Sequence, residues 1–180
     1  SMKAMILAAG EGTRFRPHTE MTPKPALPFL NVPLGYYSLG LLQGLGPLSV
    51  IVNTFHLPLK IHELFEGVRP GLAKLNFSDE IGDILGSGGG VGLAHGKKLF
   101  EVKEDFILMN GAEVILPHHD GAMAALLQKH KTSQALSTLL VTEHPEVGTK
   151  FGGIWVNKKN TVLGFGKIRP PEAEHGYHFM

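Results

Sequence analysis

An apolar run of strand length, Lys3-Ala-Met-Ile-Leu7, leads directly into a glycine turn, Ala8-Ala-Gly-Glu-Gly-Thr13. A strand that ends in such a turn constrains the fold, because open α/β sheets bind ligands in the crevice beyond the carboxyl ends of their strands. Gly10 and Gly12 permit backbone angles that a Cβ would penalise. They also let the main-chain N–H groups of Leu7, Ala8, Ala9, Gly10, Gly12 and Thr13 approach an anion closely, as a nest. Thr13 contributes a hydroxyl, and Arg14, Arg16 and Lys24 place three cations around the same loop. Guanidinium forks match phosphate oxygens in pairs, and an ammonium acts as a movable point charge. These residue types in this order predict a polyphosphate site.

Two other phosphate loops do not fit. A Walker loop carries Gly-Lys-Ser/Thr where this chain has Gly12-Thr13-Arg14, and a dinucleotide fingerprint needs a third glycine where Phe15 stands. Phe15 and the Arg14 and Lys24 cations therefore disfavour an NAD-dependent oxidoreductase. The longer string is more specific. Leu-Ala-Ala-Gly-x-Gly-Thr-Arg-x-Arg-Pro over residues 7–17, followed by Pro23-Lys24-Pro25, resembles the signature of the sugar-phosphate nucleotidylyltransferases, or NDP-sugar pyrophosphorylases. The resemblance covers nearly all of the chain.

The rest of the pattern alternates strand and helix. Strands are predicted over residues 3–7, 48–53, 75–78, 105–109, 135–142, 153–156 and 161–165. Helices are predicted over 34–45, stopped by Gly46-Pro47, over 58–65, with Pro58 in the first turn, over 91–100, and over 120–130, with Asp120 as N-cap. Residues 86–92 are expected to form a second glycine-rich loop. Such alternation predicts a mostly parallel sheet covered on both faces. Together with the resemblance, it implies an α/β, Rossmann-like three-layer sandwich of the nucleotide-diphospho-sugar transferase type, forming a single nucleotidyltransferase domain over residues 1–180. Ser1 ahead of Met2 reads as an expression scar. The stretch Tyr177–Met180 reads as the start of an apolar strand, and the family's last portion, with more of the sugar pocket and a second metal-binding aspartate, is expected to be missing.

Composition narrows the class of protein. The chain carries a net charge of +1 with its charges scattered, which argues against a nucleic-acid-binding face. It has no cysteine, so it holds neither a disulfide frame nor a thiolate metal site. No apolar run approaches the roughly 20 residues of a membrane span. No signal peptide is visible, and a cytoplasmic enzyme is expected. The densest histidine cluster, Pro117-His118-His119-Asp120, lacks the i, i+4 spacing of paired helical ligands and reads as a solvent-facing helix start.

The resemblance assigns chemistry to individual positions. The family reaction is attack by a sugar 1-phosphate on the α-phosphorus of a nucleoside triphosphate, with release of pyrophosphate. Catalysis of this kind is mainly positioning and charge neutralisation. Arg14 would stabilise charge on the leaving pyrophosphate, and Lys24, stiffened by its flanking prolines, would bridge toward the α-phosphate. Asp79-Glu80 and then Ile84-Leu-Gly-Ser-Gly-Gly-Gly90 resemble the family's Glu and its Leu-Gly-Thr-Ala/Gly-Gly segment, which would place Gly86, Ser87 and Gly88 against the nucleotide base. Glu80 alone reads as a surface carboxylate. Asn110, Gly152 and Lys167 fall at positions that would touch the sugar or its phosphate, although the Glu-Lys-Pro pattern is here Gly166-Lys167-Ile168-Arg169-Pro170. The triphosphate is expected to be UTP or GTP, and the cofactor Mg²⁺; a homo-oligomer is allowed.

One position departs from the family. Its Asn-Gly-Asp, whose aspartate ligates Mg²⁺, is here Asn110-Gly111-Ala112. Glu113 is adjacent, but neighbours on an extended segment point to opposite sides, so a takeover by Glu113 requires a local backbone change. Three readings stand: an engineered inactivation, a natural binding or regulatory protein without turnover, and Glu113 as substitute ligand. The first two together are preferred to the third.

Overall fold

The computed structural model describes residues 2–101 and 103–179. The chain divides into two compact units, Ser1–Leu116 and Pro117–Met180. In the first, β1 (Met2–Leu7) is followed by α1 (His18–Met21), the short ribbon β2 (Pro28–Phe29) and β3 (Val32–Pro33), and α2 (Leu34–Leu41). Then come β4 (Leu48–Thr54), α3 (Pro58–Glu66), β5 (Lys74–Asp79), α4 (Gly86–Gly96) and β6 (Phe106–Asn110). Four strands form one sheet in the order β5-β4-β1-β6, every pair parallel. All seven residues of β4 are buried, as are Ala4, Met5 and Ile6 of β1. A parallel strand with both faces covered needs a continuous apolar run, which Val50-Ile-Val52 and Ala4-Met-Ile6 supply. Met5 and Ile51 share a cluster with Ala94 of α4 and with Phe100, so α4 covers that face of the sheet.

The strand order fixes where a ligand can sit. From β1 the chain builds outward to β4 and β5, then crosses back to lay β6 on the other side of β1. The crevice at such a reversal opens beyond the carboxyl ends of β1 and β6. Leu7 is in register with Asn110, so the glycine turn and the Asn110–Glu113 segment leave the sheet side by side.

The second unit is antiparallel. It holds α5 (Ala122–Ser133) and a sheet of β7 (Val141–Thr142), β10 (His175–Phe179), β8 (Gly153–Val156) and β9 (Val162–Gly166), in that spatial order. A tight turn joins β8 to β9, where Asn160 N–H donates to the Asn157 carbonyl at 2.9 Å. A connection this short can only join antiparallel strands.

Five expectations need correction. Residues 86–90 are the first turns of α4, not a loop. Glycine is a poor helix former, but a buried contact described below holds this helix start in place. α2 ends at Leu41 rather than Leu45. Asp120 is not a cap: Gly121 occupies the N-cap of α5 and makes no side-chain cap bond. Of the strand expected over 135–142 only Val141–Thr142 forms, paired with Phe179 and His178 of β10. The terminal strand is found as His175–Phe179, half-exposed rather than apolar, and Met180 and Ser1 lie outside the described residues.

Candidate active site

The glycine turn and the end of β6 enclose a cavity of about 290 Å³. Leu7, Ala8, Gly10, Gly12, Thr13, Arg14 and Phe15 line it from the turn, Lys24 and Pro25 from the next loop, and Asn110, Gly111, Ala112 and Glu113 from the strand end. Two of the three expected cations, Arg14 and Lys24, therefore face one space with one carboxylate; Arg16 is not among the lining residues. Lys24 Nζ lies 5.1 Å from the Phe15 ring centroid, a cation–π contact that steadies the ammonium beside the cavity. Such a volume is near the lower end of the roughly 300–1,000 Å³ typical of ligand pockets, so it suits a polyphosphate more than a whole nucleotide.

The turn is braced from below. Gly12 adopts φ 62, and a Cβ there would come within 2.8 Å of Thr19 Cγ2. The buried Thr19 hydroxyl donates to the Gly12 carbonyl at 2.7 Å, and His56 Nε2 donates to the Thr19 carbonyl at 2.5 Å. Gly10 has nothing within 4 Å of where its Cβ would stand, so the cavity side of the turn is open.

The chain changes direction after β6. Gly111 N–H donates to the Leu7 carbonyl at 2.8 Å, and a Cβ on Gly111 would lie only 2.8 Å from that same oxygen. Ser38 Oγ donates to the Asn110 carbonyl at 2.6 Å. With residues 111–112 in a turn, the alternation of an extended segment no longer applies, and Ala112 and Glu113 both line the cavity. Asn110 Nδ2 donates to Glu113 Oε1 at 2.9 Å, which leaves Oε2 available. Residues 111–112 thus depart from extended backbone. Among the described residues, no group of three or more His, Asp or Glu side chains is arranged to hold a metal.

Beside the turn lies a buried polar pair, Asn53 and Glu80, of which the sequence singled out only Glu80. Ala8 N–H donates to Asn53 Oδ1 at 2.7 Å, and Asn53 Nδ2 donates to Glu80 Oε1 at 2.9 Å, both bonds buried. Glu80 Oε2 accepts Leu85 N–H at 2.9 Å. Glu80 is only 6% exposed, so its reading as a surface carboxylate is wrong. One signal was available: Asn53 follows the apolar run Val50-Ile-Val52, where a polar side chain must find partners. Next in the chain, Asp79 accepts bonds from the Thr54 hydroxyl at 2.6 Å and from His62 at 2.8 Å. Burial pushes the Asp79 carboxyl up, but those hydrogen bonds and the charges of His62 and Lys97 outweigh it and hold its pKa below the usual carboxylate value.

The remaining expected residues lie elsewhere. Ala9 is buried behind the turn. Gly86, Ser87 and Gly88 are exposed on the first turn of α4 and do not line the cavity. Gly152 and Lys167 belong to the second unit, where a Cβ on Gly152 would touch Gly166 Cα at 3.4 Å.

Residues 3–167 match the nucleotidyl transferase family model. A UTP–glucose-1-phosphate uridylyltransferase from Synechocystis is 32% identical over 91% of this chain and 43% of its own length. A mannose-1-phosphate guanylyltransferase catalytic subunit beta from Dictyostelium discoideum is 31% identical over 97% of this chain and 46% of its own. The chain spans less than half the length of these curated relatives. A solved UDP-glucose pyrophosphorylase in complex with UDP-glucose superposes with a TM-score of 0.78 over 99% of this chain and 74% of its own, at 20% identity, a likeness of fold.

Proposed function

The chain belongs to the sugar-phosphate nucleotidylyltransferases of the nucleotidyl transferase family, and on that premise we propose that it joins a nucleoside triphosphate to a sugar 1-phosphate, giving an NDP-sugar and pyrophosphate. A phosphate oxygen of the sugar 1-phosphate attacks the α-phosphorus, and the bond to the β-phosphate breaks. The observation that carries this reading is the meeting of Arg14, Lys24 and the glycine-turn backbone with Glu113 in one cavity. Arg14 offsets the charge gathering on the pyrophosphate, and Lys24 that on the α-phosphate. UTP and GTP are the favoured donors, in keeping with the names of the relatives. Gly152 and Lys167 serve the sugar phosphate.

Mg²⁺ commonly takes one or two carboxylates together with substrate phosphates. Glu113, with Oε2 left available by its bond to Asn110, meets that minimum without the aspartate that Ala112 replaces. Bound there beside the phosphates, the ion would neutralise their charge. Ala112 itself favours a second reading, a nucleotide- or nucleotide-sugar-binding regulatory protein without turnover. Pyrophosphate release from UTP or GTP with glucose or mannose 1-phosphate separates the two. Turnover by the chain that is lost in Glu113→Gln supports the enzyme. Tight nucleotide binding without turnover, with turnover appearing only in Ala112→Asp, supports the binding protein.

A further inference from the structure

We infer that Asn53 and Glu80 are positioning residues that couple occupancy of the phosphate turn to the start of α4; the inference rests on the phosphate-site reading above. The chain of contacts is continuous: Ala8 N–H to Asn53 Oδ1, Asn53 Nδ2 to Glu80 Oε1, and Leu85 N–H to Glu80 Oε2. Ala8 lines the cavity, and Leu85 is the residue from which α4 starts. Both carboxylate oxygens are met by neutral N–H donors, so the pair acts through geometry rather than as an ion pair.

The helix is built around this contact. Gly90 is buried, and a Cβ there would stand 2.8 Å from Asn53 Nδ2 and 2.9 Å from Glu80 Oε1. Only a glycine lets α4 approach the pair this closely. A buried polar group left without its partner costs far more than the bond contributes when made, so the three contacts hold or fail together. A shift of Ala8 toward a bound phosphate therefore reaches Leu85 through two side chains and no flexible loop.

The direction of the bonds gives a specific test. In Asn53→Asp, two carboxylates face each other; in Glu80→Gln, the new amide donates toward an N–H. In the double variant Asn53→Asp/Glu80→Gln all three bonds are restored and only the central one is reversed: the residue-53 carboxylate accepts from Ala8 N–H and from the residue-80 amide, whose oxygen accepts Leu85 N–H. Inorganic tripolyphosphate serves as the probe because it can occupy the phosphate turn without a base. We expect its binding to protect the amides of residues 85–90 from hydrogen exchange in the wild-type chain and in the double variant. In each single variant protection is lost and binding is about tenfold weaker, within the usual range of coupling between sites. A purely structural role predicts parallel changes in the melting temperature, with wild-type protection in any variant that stays folded. Tripolyphosphate binding that leaves residues 85–90 unprotected in the wild type overturns the coupling alone. A double variant no better than the worse single does the same, and the double also keeps the test decisive if either single fails to fold. No tripolyphosphate binding to the wild type overturns the phosphate-site reading itself.

Discussion

Asn110 donates its side-chain N–H to Glu113 across the turn that follows β6, at 2.9 Å, and so fixes the carboxylate on the wall of the cavity that Arg14 and Lys24 also line. Where the family pattern has a metal-binding aspartate, this chain has Ala112; the turn at residues 111–112 brings the next carboxylate to the same space.

If Glu113 is the metal ligand, Glu113→Gln should abolish the gain in triphosphate affinity on adding Mg²⁺, while binding without metal is kept or improved by loss of a negative charge. Calorimetric titration with UTP or GTP, with and without Mg²⁺, reads both. An unchanged Mg²⁺ effect in Glu113→Gln would remove the residue from the metal site.

Arg14→Ala should lower turnover by roughly 10²–10³, the cost of removing one preorganised donor at developing charge. Lys24→Ala should weaken triphosphate binding, and raised salt should then cost the variant less affinity than it costs the wild type. Steady-state kinetics and titrations at two ionic strengths measure these effects.

The two glycines of the turn should respond differently. Gly12→Ala forces a Cβ into φ 62 and within 2.8 Å of Thr19 Cγ2, so it should cost about 1–3 kcal/mol of stability in denaturant melts. Gly10→Ala meets nothing within 4 Å and should melt like the wild type, yet weaken triphosphate binding by narrowing the approach to the turn.

Asp79 gives a pH signature. Its folded pKa lies below its ordinary value despite burial, because Thr54, His62 and Lys97 favour the charged form. A depressed carboxylate contributes stability above its unfolded pKa and loses it as pH falls through the folded value. Asp79→Asn keeps an acceptor for Thr54, so it should melt about 1–3 °C lower at neutral pH, a modest effect at a half-exposed site. The difference should begin to shrink below about pH 4 and close once the pH has fallen below the depressed folded pKa. An equal gap at all pH values would assign the effect to packing.

The sequence made some of this architecture legible for stated reasons. Val50-Ile-Val52 is apolar without alternation because β4 is covered on both faces, and the Leu7–Lys24 string points to the family because it matches a long signature rather than a lone glycine turn. Other parts were hidden. Residues 86–90 look like a loop by propensity, and only the tertiary contact of Gly90 with Asn53 and Glu80 explains a helix there. Glu80 looks like a surface residue until the fold buries it. The side on which Glu113 points depends on a turn that periodicity does not reveal.

The most direct test is calorimetric titration of the chain with UTP and GTP in Mg²⁺, alongside Arg14→Ala checked by thermal melting. The account predicts that one of these triphosphates binds, and that Arg14→Ala weakens it at least about tenfold, roughly 1.4 kcal/mol, without a change in melting temperature. A folded chain that binds neither triphosphate, or an Arg14→Ala variant that binds as tightly as the wild type, would contradict it.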